Sequence, residues 1–211
     1  KAIKETGQIL AMRGKVLPVT MDQTTLGAEL ENGKRIEKEP NVEEHKTKYR
    51  SEVKMLFLKP KDAKAYPGSL KEIKKADIIV LGPGSLYTSI LPNLLVKGIP
   101  EAIKRSSAKK VYVCNVMTQP GETDHYTASE HLDRVVRYLG KGVLDYLVVN
   151  SERAPEKLYR KYRKEGSNRV KIDDEKLKNY DVRVVEKNLI TKKNLLRHDS
   201  DKLARVVVGL V

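Results

Sequence analysis

From Asp77 onward, short apolar runs alternate with stretches of helical periodicity. ADIIVLG reads as a buried strand that ends in glycine. KKVYVCNV reads as a second, reached through a helix that Pro100 opens in its first turn (PEAIKRSS), and DYLVVN as a third. Between the last two strands lies TASEHLDRVVRYLG. Thr127 and Glu130 stand there at capping-box spacing, Ala128, Leu132, Val135, Val136 and Leu139 share one face, and Gly140 closes the helix. Strands of this kind separated by helices predict an α/β fold with a mostly parallel sheet and helices on both faces.

Beyond Asn150, Pro155 starts a basic helix, APEKLYRKYRKEG, with Leu158, Tyr159 and Tyr162 on its apolar side. DVRVVEKNLI predicts a further strand, and Asp199 or Ser200 caps a last helix, DKLARVVVGLV. Residues 15–59 follow a different pattern. KVLPVT, TTLGAEL and SEVKMLFLK read as strands, and Glu31-Asn32-Gly33-Lys34 is a hairpin signal. They predict an antiparallel β-rich insertion within one α/β domain spanning 1–211. The polar stretch from Glu37 to Arg50 reads as an exposed loop or edge strand. AIKETGQILAM reads as the end of a helix closed by Gly14, so the chain is expected to be an N-terminally truncated fragment.

Composition narrows the class. The 211 residues are 39% hydrophobic and 33% charged, a globular balance, and no apolar run approaches the roughly 20 residues that span a bilayer. Lys1 to Leu10 lacks the apolar core of a signal peptide. Cys114 is the only cysteine, which excludes a disulfide framework and argues against a cysteine-built metal site; a reducing cytoplasm is the expected location. The net charge of +14 permits phosphate-rich partners. The three glutamines, the single cysteine and the abundance of Lys and Glu instead favour a solvated surface of heat-adapted type. Trp is absent, Phe is single, and only Tyr159 and Tyr162 lie among the basic residues, so a nucleic-acid partner ranks behind a small-molecule one.

Three polar segments directly follow the three strands: Gly82-Pro83-Gly84-Ser85, Asn115 to Glu122, and Asn150 to Arg153. In a parallel sheet all three emerge at the carboxyl edge, where open α/β folds bind ligands, so they are expected to face one crevice. Gly82 and Gly84 let the backbone turn tightly and approach a ligand, Ser85 caps the short helix that follows, and Thr88 adds a hydroxyl; such a terminus suits phosphate, although any glycine-rich turn can be structural only. Pro92 is expected to stop this helix after about two turns. Neither nucleotide fingerprint, G-x-G-x-x-G or G-x-x-x-x-G-K-[ST], is present. The second segment gathers Asn115, Thr118, Gln119, Gly121, Glu122, Thr123, Asp124 and His125, a set suited to a sugar or a base. Glu122 or Asp124 can serve as a general base or hold Mg²⁺, or the stretch is a plain polar loop. His125 and His131 lack metal-ligand spacing with a third residue, and no metal ligand is assigned. Asn150 either satisfies backbone groups or binds ligand. Arg197, before the last helix, suits a bidentate phosphate clamp or is a surface residue beside an N-cap. Cys114, inside an apolar strand, reads as packing.

Taken together, GKVLPVT, LGPGSLYTSILPNLLVKGIPEAI, VYVCNVMTQPGETDHYTASEHL, DYLVVN and LRHDSDKLA resemble the CofD-like family over nearly the whole chain. The resemblance is closer to its gluconeogenesis-factor (YvcK-type) branch than to 2-phospho-L-lactate transferase, because GPGSLYTSI matches the former better. It implies a Rossmann-like fold, a cytoplasmic location and binding of UDP-sugars such as UDP-N-acetylglucosamine. In the factor branch it implies a role in gluconeogenic growth, cell shape and cell-wall precursor supply. The family's opening Gly-rich turn and Asp-rich segment have no match here. The first expectation is therefore a nucleotide-sugar-binding regulatory factor. Gly82, Gly84, Ser85 and Thr88 would cradle phosphate, Thr118, Gln119, Gly121 and Glu122 would contact sugar or base, and Arg197 would neutralise the diphosphate. The second is a Mg²⁺-dependent phospho-lactyl transferase, and the third a nucleic-acid-binding module. The oligomeric state, including a homo-oligomer, is left open.

Overall fold

The computed structural model describes residues 14–191 and 196–211, so the helix expected over residues 2–12 lies outside the described residues. Two sheets organise the rest. Strands β1 (Thr25–Leu30), β2 (Arg35–Glu37) and β3 (Val53–Lys59) pair antiparallel in the order β2-β1-β3. The Glu31–Lys34 turn closes the first hairpin, with the Leu30 N–H donating to the Lys34 carbonyl at 2.9 Å. Strands β4 (Ile78–Leu81), β5 (Lys109–Val113), β6 (Tyr146–Asn150) and β7 (Arg183–Lys187) form a parallel sheet in chain order. The helices are α1 (Glu39–Glu43), α2 (His45–Tyr49), α3 (Pro67–Lys75), α4 (Leu91–Leu94), α5 (Ile99–Arg105), α6 (Ala128–Leu139), α7 (Glu156–Lys164), α8 (Asp174–Leu177) and α9 (Ser200–Val208); a π-helical turn, Leu86–Ile90, runs into α4.

The parallel sheet is covered on both faces, as its apolar strands require. Alternation along β5 and β6 sends Val111, Val113 and Val148 to one side, where Leu203, Val206 and Val207 of α9 cover them. Tyr112, Leu147 and Val149 point to the other side, into a core shared with Leu132, Val135 and Leu139 of α6 and with Ala28, Leu30, Leu56 and Leu58 of the antiparallel sheet. Helix α6 starts as its capping box dictates. Thr127 Oγ1 accepts from the Glu130 N–H, and Glu130 Oε2 accepts from the Thr127 N–H at 2.7 Å. Asp199, rather than Ser200, caps α9 by accepting the Lys202 N–H at 3.1 Å.

Several expectations are corrected. Lys15–Thr20 is not a strand: Thr20 alone bridges to Ala65, Pro18 has no N–H to give, and Val16 and Leu17 stay exposed. The stretch from Glu37 to Arg50 is neither loop nor edge strand but carries α1 and α2, because Val42, His45, Lys46 and Tyr49 share a helical face and the first two are buried. Strand β4 is half-buried, with Val80 43% exposed, since it is an edge of the parallel sheet among the described residues. Pro92 does not stop a helix. The preceding turn uses the wider i→i+5 bonds, and Pro92 then sits in the first turn of α4, where a missing N–H costs little. Helices α3 and α8 have no counterpart in the sequence reading.

Leu132 is fully buried where α6 meets both sheets. Leu132→Ala is expected to lower unfolding free energy by about 2–5 kcal/mol, the range for emptying a packed leucine site, as read from urea denaturation midpoints at unchanged slope.

Candidate functional site

All four parallel strands end on one side, and the first two post-strand segments meet there. The Gly84 N–H donates to Asn115 Oδ1 (3.2 Å), and Asn115 Nδ2 donates back to the Gly84 carbonyl (2.8 Å). This reciprocal pair fixes the glycine-rich turn against the end of β5. Gly82 is required by geometry: its φ is 79°, and a Cβ there would lie 2.9 Å from the Val113 carbonyl oxygen. Ser85 caps the π-helical turn as expected. Its Oγ accepts from the Thr88 N–H at 3.3 Å, meets Thr88 Oγ1 at 2.5 Å and donates to Glu122 Oε1 at 2.6 Å.

Glu122 is the pivot of the second segment. It is 0% exposed, and the same Oε1 accepts the Tyr87 N–H at 2.8 Å, while Oε2 has no partner among the described residues. Burial pushes its carboxyl above the ordinary 4.5, against the opposing pull of the Ser85 and Tyr87 bonds. Thr118 is spent on structure: its N–H donates to the Asn168 carbonyl, its Oγ1 accepts the Asn168 N–H, and its carbonyl accepts from Ser167 Oγ. Gln119 holds a buried Oε1 that no group among the described residues satisfies. Gly121, at φ 80°, lies against α2, where a Cβ would stand 2.7 Å from Thr47 Oγ1. Asp124 Oδ2 accepts the Gly121 N–H, and His125 is exposed.

A cavity of about 800 Å³ opens beside the first two segments. Of the expected site residues, Gly84, Asn115 and Arg197 line it, together with His198, Met117 and Ser200. Arg197 is exposed, and no ion pair joins it to Asp199 or Asp201 among the described residues. The third segment stands apart from that lining. Asn150 Oδ1 accepts the Leu189 N–H (3.0 Å) and Nδ2 donates to the Glu152 carbonyl (3.0 Å), so this side chain locks the end of β6 to the chain after β7. Cys114 is buried and its thiol is pushed up to about 12 by that burial, in keeping with packing. His131 is buried with Nδ1–H on the Thr127 carbonyl, and no cluster of His, Cys, Asp and Glu suited to a metal exists among the described residues.

The sequence reading missed a polar network beneath the site. Tyr87 and Tyr126 join their hydroxyls at 2.9 Å, and Tyr126 Oη donates to Glu52 Oε2 at 2.9 Å. Lys46 Nζ pairs with Glu52 Oε1 at 2.7 Å and stands 4.5 Å from the centre of the Tyr126 ring. His45, fully buried, packs edge-on to Tyr87 with ring centroids 5.3 Å apart and Nε2 4.0 Å from Glu52. Partial burial raises the Glu52 carboxyl, but His45, Lys46 and Tyr126 outweigh it and hold the group at about 2. The signal for two of these residues was present as the i, i+3, i+4, i+7 spacing of Val42, His45, Lys46 and Tyr49.

This arrangement defines a class, that of open α/β domains with a parallel sheet and a glycine-rich turn at its carboxyl edge. The family model described as 2-phospho-L-lactate transferase CofD matches residues 1–190, and the chain belongs to the CofD family. It is similar to the gluconeogenesis factor of Bacillus subtilis, 43% identical over 211 residues that cover 100% of this chain and 65% of that protein. It is likewise similar to a putative gluconeogenesis factor of Clostridium acetobutylicum, 44% identical over 100% of this chain and 47% of that one. A crystal structure of a UPF0052-family protein from Bacillus halodurans matches with a TM-score of 0.90 at 43% identity, covering 97% of this chain and 64% of that one. The chain thus spans about half to two thirds of the length of these relatives. No helix among the described residues is long and apolar enough to cross a membrane.

Two pH effects follow. Glu52 is depressed in the folded chain from 4.5 to about 2, so its stabilisation is present above 4.5 and is lost as pH falls toward 2. Urea midpoints of the wild type should drop between about pH 5 and pH 3 more steeply than those of Glu52→Gln. Glu122 is raised, so its folded form favours the proton, and its contribution declines as pH climbs above 4.5 through the raised value. Glu122→Gln keeps an acceptor for Ser85 and Tyr87. Its stability relative to wild type should rise from acid to neutral pH in the same titration, and a constant difference would show that the fold leaves the carboxyl at its ordinary value.

Proposed function

We propose that this chain is the nucleotide-sugar-binding part of a regulatory factor of the gluconeogenesis-factor type, with a UDP-sugar as ligand. The observation that carries the reading is the convergence of Gly84, Asn115 and Arg197 on one cavity at the carboxyl edge. In this reading phosphate approaches the turn from Gly82 to Ser85, with Thr88, at the Ser85 and Leu86 N–H groups, since the Gly84, Tyr87 and Thr88 N–H groups and the Ser85 hydroxyl are bonded within the fold. Arg197 offers two parallel donors to the oxygens of a diphosphate. The unpartnered Gln119 Oε1 is a polar group for the sugar or base, on a loop that Thr118, Gly121 and Glu122 hold in place. Asn150 keeps the neighbouring strand end fixed. The proposal extends to gluconeogenic growth, cell shape and cell-wall precursor supply for the protein to which this chain belongs, to a cytoplasmic location, and to binding without turnover.

The family description favours one second reading, transfer of a phospho-lactyl group from a nucleoside diphosphate carrier to an alcohol. Mg²⁺ would supply charge neutralisation of the leaving diphosphate there. The carboxylates of the second segment do not fit that ion: Glu122 is buried with Oε1 committed to Ser85 and Tyr87, and Asp124 Oδ2 accepts the Gly121 N–H.

Calorimetric titration of UDP-N-acetylglucosamine at fixed salt tests the first reading. Arg197→Ala should weaken binding by about 1.5–3 kcal/mol, the range for hydrogen bonds to charged groups, and Arg197→Lys should recover only part of the loss. Equal affinities for all three proteins would remove Arg197 from the site, and absence of binding by the wild type would overturn the reading.

A further inference from the structure

The antiparallel insertion does more than cover the core. Helix α2 touches both halves of the candidate site. Its Lys46 N–H donates to the Gly121 carbonyl at 3.1 Å, and Lys46 Nζ donates to the Asp124 carbonyl at 3.1 Å. Thr47 lies directly against Gly121, and His45 packs on Tyr87, next to the capped turn. The Lys46 side chain is only 17% exposed, and its ammonium is held from the other side by Glu52, just before β3. The loop it grips carries Glu122, whose carboxyl holds the Ser85 Oγ–H and the Tyr87 N–H. A continuous chain of hydrogen bonds therefore runs from the insertion through residues 121–124 to the glycine-rich turn.

We propose that Lys46 is a positioning residue for the ligand site: from the insertion, it fixes the Gln119–Asp124 loop and, through Glu122, the Ser85 turn. The proposal rests on the reading of that edge as a nucleotide-sugar site. Its chemistry follows from geometry. A carbonyl-directed ammonium trapped between a carboxylate and an aromatic face has one low-energy arrangement, and that arrangement sets where the loop backbone lies. Lys46 touches no ligand in this account. Its effect on affinity comes from ordering groups that do, and a preordered loop loses less entropy on binding.

Three proteins decide the matter: wild type, Lys46→Met, which keeps the apolar stem, and Lys46→Arg, which keeps the charge. Amide hydrogen exchange, thermal midpoints and calorimetric affinity for UDP-N-acetylglucosamine are measured on each. In Lys46→Met, exchange at residues 121–125 and 85–88 should quicken by about tenfold or more, the consequence of losing a charge-assisted bond, while strands β5 and β6 keep their protection. Affinity should fall by a similar factor, and Lys46→Arg should restore part of both. Unchanged exchange at 121–125, or a uniform rise that tracks the thermal midpoint across the whole fold, overturns the proposal. Local exchange that quickens as expected in a protein whose wild type binds no UDP-sugar sustains the positioning of the loop and sinks the ligand reading instead.

Discussion

A single buried carboxyl group governs the architecture of the carboxyl edge. Glu122 lies out of reach of water and gathers a hydroxyl and a backbone N–H from a segment 35 residues away in the chain. Without it, the Tyr87 N–H at the head of the π-helical turn would be buried unsatisfied, at a cost of about 1–3 kcal/mol. Its location explains why the site's two halves behave as one unit. The glycine-rich turn is held from the side by Asn115 and from below by Glu122, so neither half can shift without breaking bonds of the other.

The segment that carries the antiparallel sheet, α1 and α2 is tied into the same unit by a polar network rather than by apolar packing alone. Glu52 and Lys46 come from that segment, Tyr87 from the turn and Tyr126 from the stretch before α6. Every one of these groups is at least partly withdrawn from solvent, where an unmatched partner is expensive and a matched set specifies one arrangement. The network does for orientation what the shared apolar core of Leu56, Leu58 and Leu132 does for cohesion.

Legibility in the sequence divides along physical lines. The parallel strands, α6 with its capping box and the Glu31–Lys34 hairpin announce themselves through local periodicity and local hydrogen-bonding chemistry, and they are found where the pattern puts them. The convergence of Gly84 and Asn115 was also readable, because parallel strands must send their exits to one side. The stretch from Glu37 to Arg50 was not, since its many charges mask an apolar face only two turns long that is stabilised by tertiary contact. Thr118, Gly121 and Glu122 stand out in the sequence by residue type and by position after a strand, yet their neighbours Asn168, Thr47 and Ser85 are distant in sequence, and no local pattern encodes such a contact.

The π-helical turn acts as a phase shifter. An α-helix advances each residue by about 100° around its axis, and the wider turn before α4 absorbs one residue without that advance. It allows Leu86 and Tyr87 to enter the core beside Ile90 and Leu91 while Ser85 keeps its cap and Pro92 reaches a position that needs no N–H. A chain one residue shorter between Leu86 and Ile90 would make a more regular helix and a worse protein. Leu91 and Leu94, both buried, would turn by about 100° relative to Ser85 and its bond to Glu122. Chain length in this short stretch is thus fixed by angular register, independently of which side chains occupy it.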